Sequence, residues 1–424
     1  MITNIAIDTW LRQLSTDHYL YALLSGSSIS EALSCYYQLD GSHTPEGIWL
    51  NTPYRDWNDV MPRLVLLNKD SPFIDWVNKQ TEQSWGWLAS GPSAQGYLIH
   101  KLRRLTKVRL PDKREVFFRY WDGKYFFKVL EVSDVLHQKA LLGGVTSVWS
   151  GHLSFQLPPV VEFIPDNDIL TFTQLQTDAL QQQQKQLLWY EIRDDFYQRF
   201  PHKARSLGKN NVDSFIDLTI EKTTKYRLTR RDQIKQYLEL ALILGSHFDD
   251  DPLLKTWIQE PIKEAHASVS SLIQLKETLA EPMRNSMGDK MSVYRQRLIA
   301  LMQKNIHHLL PITDKEHVIP FVRSLYPERC AELPAEALPL LYEKSISLYF
   351  SQGFYSYRSH AILLGIQLFL GHGVFRDPLY PWATRLINYN SVMSDEQRVN
   401  ILIDYAKKRI RKEIINLEHY WRVR

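Results

Sequence analysis

Cysteine is scarce in this chain of 424 residues, and so are other features that would assign a function from composition alone. The two cysteines, Cys35 and Cys330, are too few for a disulfide framework or for a metal site built from four thiolates. No apolar run reaches the roughly 18 residues that a membrane-spanning helix needs. The N-terminus lacks the basic and apolar regions of a secretory signal, so we expect a cytoplasmic protein.

An excess of charge of one sign is also missing. The chain has 51 Lys and Arg against 47 Asp and Glu, which leaves a formal net charge of +4. That charge produces little long-range field, whereas a dedicated nucleic-acid-binding protein usually concentrates more. Aromatic residues, in contrast, make up 12% of the chain and hydrophobic residues 44%, which is ample for packed cores. The length exceeds one compact core, so we expect two or three domains.

The first 156 residues alternate short apolar runs with helical segments. Strands are expected at Leu20–Leu24, Arg63–Leu67 and Ser84–Ala89, with helices between them. Strands interleaved with helices indicate a small α/β domain. The prolines of Leu157–Pro159 and the turn at Ile164–Asp168 mark its end.

A β-hairpin is predicted around Pro111-Asp112. An apolar and basic alternation leads into this turn, and an aromatic and basic alternation over Val116–Tyr120 follows it, which is typical of a hairpin with one buried and one solvent-exposed face. The densest basic cluster of the chain lies here: Lys101, Arg103, Arg104, Lys107, Arg109, Lys113, Arg114 and Arg119. Bases and aromatics on a sheet can bind single-stranded nucleic acid. Alternatively, the aromatics point inward and the bases face solvent, where they contact an acidic protein partner.

From residue 201 to the C-terminus, strand signals vanish and an internal repeat appears. A shift of 126 positions brings Phe200-Pro201 onto Tyr326-Pro327 and Asp251-Pro252-Leu253 onto Asp377-Pro378-Leu379 without a gap. We interpret this register as a duplicated helical unit. In each copy, a helix ends at a glycine and Asp-Pro is expected to begin the next element.

The overall expectation is a multidomain α+β chain. The predicted domains are an α/β domain over 1–156, a linker and long connecting helix over 157–200, a first helical unit over 201–310 and a second over 311–424. Ser394 and Gln397 have the spacing of a capping box at the start of the last helix.

No catalytic motif stands out from the background. His247 followed by Asp249, Asp250 and Asp251 suggests a metal site, but the matching segment of the second copy keeps only Asp377. A capping role before the following proline explains Asp251 and Asp377 better than a metal site does. We therefore expect no enzyme activity, no metal and no cofactor.

Several elements of the N-terminal region together resemble a known family. They are Tyr21–Leu24, Pro62–Val65, Trp85–Trp87, the helix Leu98–Leu105, the hairpin Val108–Asp112 with Val116–Asp122, and Leu142–Trp149. The region is similar to the type VI secretion effector chaperone (adaptor) family of the Tap/Tec kind. Trp121 and Gly123 stand where that family usually has Tyr and Pro, and Ser25 stands where it commonly has Asp. The helical C-terminal region resembles the extension that many of these chaperones carry.

The resemblance implies a cytoplasmic adaptor without catalytic activity. Such a protein binds the N-terminal part of one toxic effector and helps load it onto the secretion spike of VgrG or PAAR proteins. For effector binding, we predict an electrostatic contribution from the hairpin residues Arg109, Arg114 and Arg119. The alternative is a nucleic-acid-binding module that uses the basic hairpin over 101–119.

Overall fold

The computed structural model describes residues 2–26, 31–158, 169–254, 312–331, 333–388 and 393–422. The chain divides into two compact units, Met1–Leu187 and Leu188–Arg424. The first unit combines an antiparallel sheet with helices, and the described part of the second is helical. This confirms the predicted α+β, multidomain fold class.

The strands of the first unit are short. They are β1 (Ile2–Asn4), β2 (Tyr19–Leu24), β3 (Glu46–Gly47), β4 (Arg63–Leu67), β5 (Gly86–Gly91), β6 (Lys107–Arg109), β7 (Glu115–Phe117), β8 (Ser147–Ser150) and β9 (Leu153–Gln156). Seven of them form one sheet in the order β1-β9-β8-β5-β2-β4-β3, with antiparallel neighbours. The strands β6 and β7 form a separate two-stranded hairpin.

Helices cover both faces of the large sheet. They are α1 (Ile7–Gln13), α2 (Ala32–Leu39), α3 (Phe73–Asn78), α4 (Gln95–Arg104), α5 (Gly123–Val132) and α6 (Val135–Leu142). Strand β2 shows the consequence, because Tyr21 and Leu23 enter one hydrophobic core and Leu20, Ala22 and Leu24 enter the other. Burial on both faces explains why β2 reads as a continuous apolar run.

The second unit is built from helices of 5 to 28 residues. Helix α7 (Gln174–Arg199) crosses the boundary between the units. It is followed by α8 (Pro201–Leu207), α9 (Lys209–Lys225), α10 (Arg231–Leu244), α11 (Val318–Leu325), α12 (Pro327–Ala331), α13 (Ala337–Ser351), α14 (Tyr357–Leu370), α15 (Pro381–Ile387) and α16 (Asp395–Arg422). Within the described ranges, no helix has both the length and the apolar character needed to cross a membrane.

The helix bounds follow the predicted repeat. Helices α10 and α14 have the same length and are offset by the same 126 positions that align the two sequence copies. The glycines after them, Gly245 and Gly371, have φ values of 93° and 91°, a region that favours glycine. The capping box at α16 is also present, with Ser394 N–H donating to Gln397 Oε1 and Gln397 N–H donating to Ser394 Oγ.

In the second copy, the Asp-Pro-Leu turn differs from the expectation that it begins the next helix, whereas in the first copy the residues after Leu254 lie outside the described ranges. Asp377 accepts hydrogen bonds from Leu379 N–H of its own turn at 2.8 Å and from Ser246 N–H of the other copy at 2.7 Å. Asp251 likewise accepts from Leu253 N–H and from His372 N–H, both at 2.9 Å. Each aspartate therefore caps the loop of the other copy, and helix α15 begins only at Pro381.

Candidate protein-binding surface on the β6–β7 hairpin

The predicted hairpin is present. Its register pairs Lys107 with Phe117, Val108 with Val116 and Arg109 with Glu115. The turn is closed by hydrogen bonds from Leu110 N–H to Arg114 O and from Lys113 N–H to Leu110 O, and Lys113 has a φ of 69°. The Pro-Asp turn and the alternating pattern therefore predicted this element correctly.

The two faces of the hairpin differ from the alternative in which the aromatics point inward and the bases face solvent. Val108 is buried, and Phe118 and Tyr120 beyond the strand are buried as well. Phe117 is an odd-numbered residue, so its side chain points to the other face, and it remains 43% exposed. Because successive strand residues point to opposite faces, Phe117 lies on the same face as Lys107, which pairs across from it, and as Arg109.

Each of the three predicted binding arginines lies beside a carboxylate. Arg109 is 3.4 Å from Glu115. Arg114 is 2.7 Å from Asp112. Arg119 is 3.1 Å from Asp122, and its guanidinium lies 5.3 Å from the ring centroid of Tyr125. These pairs neutralise part of the positive charge, and the role of the three arginines in binding stays a prediction.

A cluster of three aromatic side chains lies against the hairpin, formed by Tyr54, Trp57 and Phe117. The ring centroid of Tyr54 is 5.4 Å from that of Trp57 and 5.1 Å from that of Phe117. The Trp57 and Phe117 centroids are 5.7 Å apart. Trp57 is 49% exposed, so this aromatic cluster presents apolar surface to solvent. Clustered aromatics of this kind are enriched at the centres of protein interfaces.

The aromatic cluster rests on a buried tryptophan. Trp49 is 2% exposed, and its ring centroid lies 6.2 Å from those of both Tyr54 and Trp57. Its Nε1 donates to Thr106 Oγ1, which immediately precedes β6. Consecutive turns between Gly47 and Trp57 hold the segment in place. The cluster is therefore pre-organised, which reduces the entropy lost on binding.

Lys107 adds a positive charge to the aromatic cluster. Its Nζ lies 5.8 Å from the Tyr54 ring centroid and 5.7 Å from that of Phe117. A side-chain interaction with Tyr54 raises the pKa of Lys107, so the ammonium stays charged at neutral pH. The surface thus combines exposed aromatic rings with a fixed cation.

The edge of the hairpin formed by β7 has no strand partner within the part of the chain that the structure describes. On the other edge, Arg109 N–H donates to Leu170 O at 2.9 Å, and Phe172 N–H donates to Arg109 O at 2.8 Å. The backbone N–H and C=O groups of Arg114, Val116 and Phe118 point towards β6: Leu110 N–H donates to Arg114 O, Val116 pairs with Val108, and Phe118 N–H donates to Thr106 O. The backbone groups of Glu115 and Phe117 therefore point away from β6, and no backbone group of the described residues pairs with them.

Titratable side chains from the two sequence copies lie close together in the second unit. His372 lies 3.5 Å from Asp250 and 3.6 Å from Asp251. Burial disfavours the charged form of His372, but these two carboxylates outweigh it and raise its pKa. Burial lowers the pKa of His247 to about 3. The described ranges hold no group of three or more His, Cys, Asp or Glu side chains that could bind a metal ion.

Sequence reasoning missed Tyr54 and Trp57. They lie about 60 positions before the partner Phe117, and a local pattern does not report such a contact. A weak signal was available, because both aromatics lie in the turn-forming stretch Asn51–Asp59, where little buried surface is expected.

Comparison with known proteins links the N-terminal region to a family. Residues 20–140 match the family described as a domain of unknown function, DUF4123. Over 118 residues the chain is 25% identical to accessory protein VasW of Vibrio cholerae serotype O1, a stretch that covers 28% of this chain and 39% of that relative. The chain thus spans less than half the length of the curated relative it matches. No solved structure matches the chain.

These matches confirm the resemblance to the type VI secretion effector chaperone family for the N-terminal region. The hairpin, Tyr54 and Trp57 all lie within the matched residues 20–140. The family match ends before the helical region, so the resemblance expected there stays a prediction.

Proposed function

We propose that this protein is a type VI secretion effector chaperone, because residues 20–140 match the DUF4123 family. In this proposal it binds a cognate toxic effector in the cytoplasm and helps load it onto a VgrG or PAAR spike protein, without catalysing a reaction. The relative in Vibrio cholerae is named an accessory protein, which supports a role of this kind.

The observation that carries the proposal is the exposed aromatic cluster on the hairpin. Tyr54, Trp57 and Phe117 form a pre-organised apolar surface beside the charged Lys107, inside the segment that matches the family. Aromatic anchors of this kind supply most of the binding free energy in protein interfaces. The arginines of the hairpin are proposed to contribute mainly to the rate of association, because exposed charges steer an encounter more than they stabilise the complex.

Co-purification tests the proposal. The tagged chain is expressed with the protein encoded beside it, which is the candidate toxin, and the complex is washed at high salt. An apolar interface predicts that the complex survives, since salt screens only the charged contribution. The double variant Trp57→Ala/Phe117→Ala should lose the toxin. The matched control is Tyr355→Ala in the second unit, which removes an aromatic ring that is 69% exposed and should retain the toxin.

The same experiment separates this function from nucleic-acid binding. A nucleic-acid complex releases counterions, so its affinity falls steeply as salt rises. Recovery of nucleic acid that high salt removes, with no bound toxin, would contradict the chaperone proposal.

A further inference from the structure

The open edge of β7 lies directly beside the aromatic cluster, and the two features together specify a binding mode. We propose that β7 accepts an extended segment of the partner protein as an additional strand, and that this segment is acidic and carries an apolar side chain that packs on Tyr54, Trp57 and Phe117. The inference rests on the proposed function, because it describes the segment that the effector would supply.

The backbone of β7 provides the first argument. The outward N–H and C=O groups of Glu115 and Phe117 have no backbone partner among the described residues, and both residues are exposed. An edge strand with free donors and acceptors is a template for another extended chain. The edge is held in place, because β6 pairs with β7 on one side and with Leu170 and Phe172 on the other.

The aromatic cluster provides the second argument. Phe117 belongs both to the edge strand and to the cluster, so a chain that pairs with β7 passes beside the Phe117 ring, which contacts the rings of Tyr54 and Trp57. In β-strand addition, backbone hydrogen bonds supply affinity and pockets for alternate side chains supply specificity. The cluster suits one apolar side chain of such a strand.

Charge provides the third argument and selects the partner. Residues 107–119 contain five basic side chains, of Lys107, Arg109, Lys113, Arg114 and Arg119, against two acidic ones, of Asp112 and Glu115. An acidic segment complements this surface.

A peptide fits the edge better than a nucleic acid does. Phosphate groups accept hydrogen bonds but do not donate them, so the phosphate backbone of a nucleic acid would not pair with the outward carbonyls of β7. A peptide backbone carries both donors and acceptors. The carboxylate of Glu115 also repels a phosphate. These features favour a protein segment as the occupant.

A pair of variants at one position isolates the backbone contribution. Glu115→Pro removes an outward N–H while the hydrogen bonds to β6, which come from neighbouring positions, remain. Glu115→Ala removes the same carboxylate and keeps the N–H. The probe is a short fluorescein-labelled peptide in which Glu alternates with Val around a central Phe, and binding is followed by fluorescence anisotropy.

We expect the peptide to bind the full chain, and the proline variant to bind it about tenfold more weakly than the alanine variant, which corresponds to about one net hydrogen bond. Phe117→Ala should weaken binding at least as much. A peptide with Lys in place of Glu should bind more weakly than the acidic one. Equal affinities for the two Glu115 variants, equal affinities for the two peptides, or no binding at all would overturn the inference.

Methylated peptides keep the test independent of protein folding. N-methylation of every second residue of the peptide removes the donors that face β7 in one series and those that face solvent in the other. Only one of the two series should lose binding to the unmodified protein. Equal loss in both, or preferential binding of an oligo-dT probe of similar length, would contradict strand addition.

The outcome for this surface is distinguishable from the outcome for the proposed function. If the Glu115→Pro/Phe117→Ala variant still co-purifies with the toxin, the adaptor function stands and the strand-addition site is wrong. If the peptide binds as predicted but the unmodified chain captures no toxin, the surface stands and the proposed partner is wrong.

Discussion

The two units differ in which groups they expose: the first exposes aromatic rings and backbone groups, whereas the second buries polar groups. The first unit leaves Trp57 and Phe117 on its surface, and along β7 it presents backbone groups that have no backbone partner among the described residues. The described part of the second unit directs Asp251 and Asp377 inward, where each caps the loop of the other sequence copy. In our proposal the first unit uses these exposed groups to bind a partner, whereas the polar groups of the second unit connect its own two sequence copies.

The largest expected effect is on the inward-facing aspartates. Asp377→Ala removes the acceptor for three donors: the buried Ser246 N–H, the Ser246 hydroxyl and Leu379 N–H. We expect the free energy of unfolding of the second unit to fall by about 3 kcal/mol. Urea unfolding measures it, with the exposed Asp404→Ala as the control. If the two variants were equally stable, the cross-capping would contribute nothing.

The aromatic cluster should behave in the opposite way. Trp57→Ala/Phe117→Ala removes exposed rings, so we expect a loss of binding free energy of about 2 kcal/mol or more with little change in stability. Titration of the variant with the purified toxin, together with the same urea unfolding, distinguishes the two effects. A double variant that binds the toxin normally but has a lower free energy of unfolding would show that Trp57 and Phe117 stabilise the fold and do not bind the toxin.

Acidification should expose a further difference through His247. Its pKa in the folded state is about 3 against an ordinary value of 6.5, because burial and then Lys222 and Arg376 disfavour its charge. The unfolded chain therefore binds the proton more readily, so this contribution is full above pH 6.5 and is lost as the pH falls towards 3. From pH 7 to pH 5 the loss is about 2 kcal/mol.

The variant His247→Gln isolates this effect from that of His372. The contribution of His372 to stability has the opposite pH dependence, because its pKa is raised in the folded state. That contribution is full below the ordinary pKa and is lost as the pH rises through the raised value. Relative to the unmodified protein, His247→Gln should lose less stability between pH 7 and pH 5 in urea unfolding. Parallel pH profiles for the two proteins would show that His247 titrates equally in the folded and unfolded states.

The smallest effect is expected for the predicted arginines. Arg109, Arg114 and Arg119 each lie beside a carboxylate, and exposed ion pairs contribute less than about 1 kcal/mol. Reversing all three charges leaves two basic against five acidic side chains in residues 107–119. Association with the toxin should therefore slow, and its rate should no longer fall as salt rises, while dissociation changes little. Stopped-flow binding at low and high salt measures this. An unchanged association rate would remove these arginines from the binding surface.

Features set by local sequence were predictable. The Pro-Asp turn and the alternation after it identified the hairpin, and the ungapped register between the two copies identified helices of matched length. Turn chemistry and periodicity act over a few residues, so they are visible without a structure.

Features set by distant contacts were not predictable. The contact of Tyr54 and Trp57 with Phe117 depends on how a turn segment packs against the hairpin. Asp377 was interpreted as the cap of the helix that follows it. It instead accepts hydrogen bonds from its own Asp-Pro-Leu turn and from a loop of the other copy. In both cases the partner is remote in sequence, and only tertiary packing brings the groups together.

Amide hydrogen exchange, with and without the bound toxin, tests the contrast between the two units most directly. We predict that the amides of Glu115 and Phe117 exchange rapidly in the free protein and become protected in the complex, while those of Ser246 and His372 are protected in both states. Unchanged exchange at Glu115 and Phe117 on toxin binding, or new protection confined to the second unit, would contradict the account.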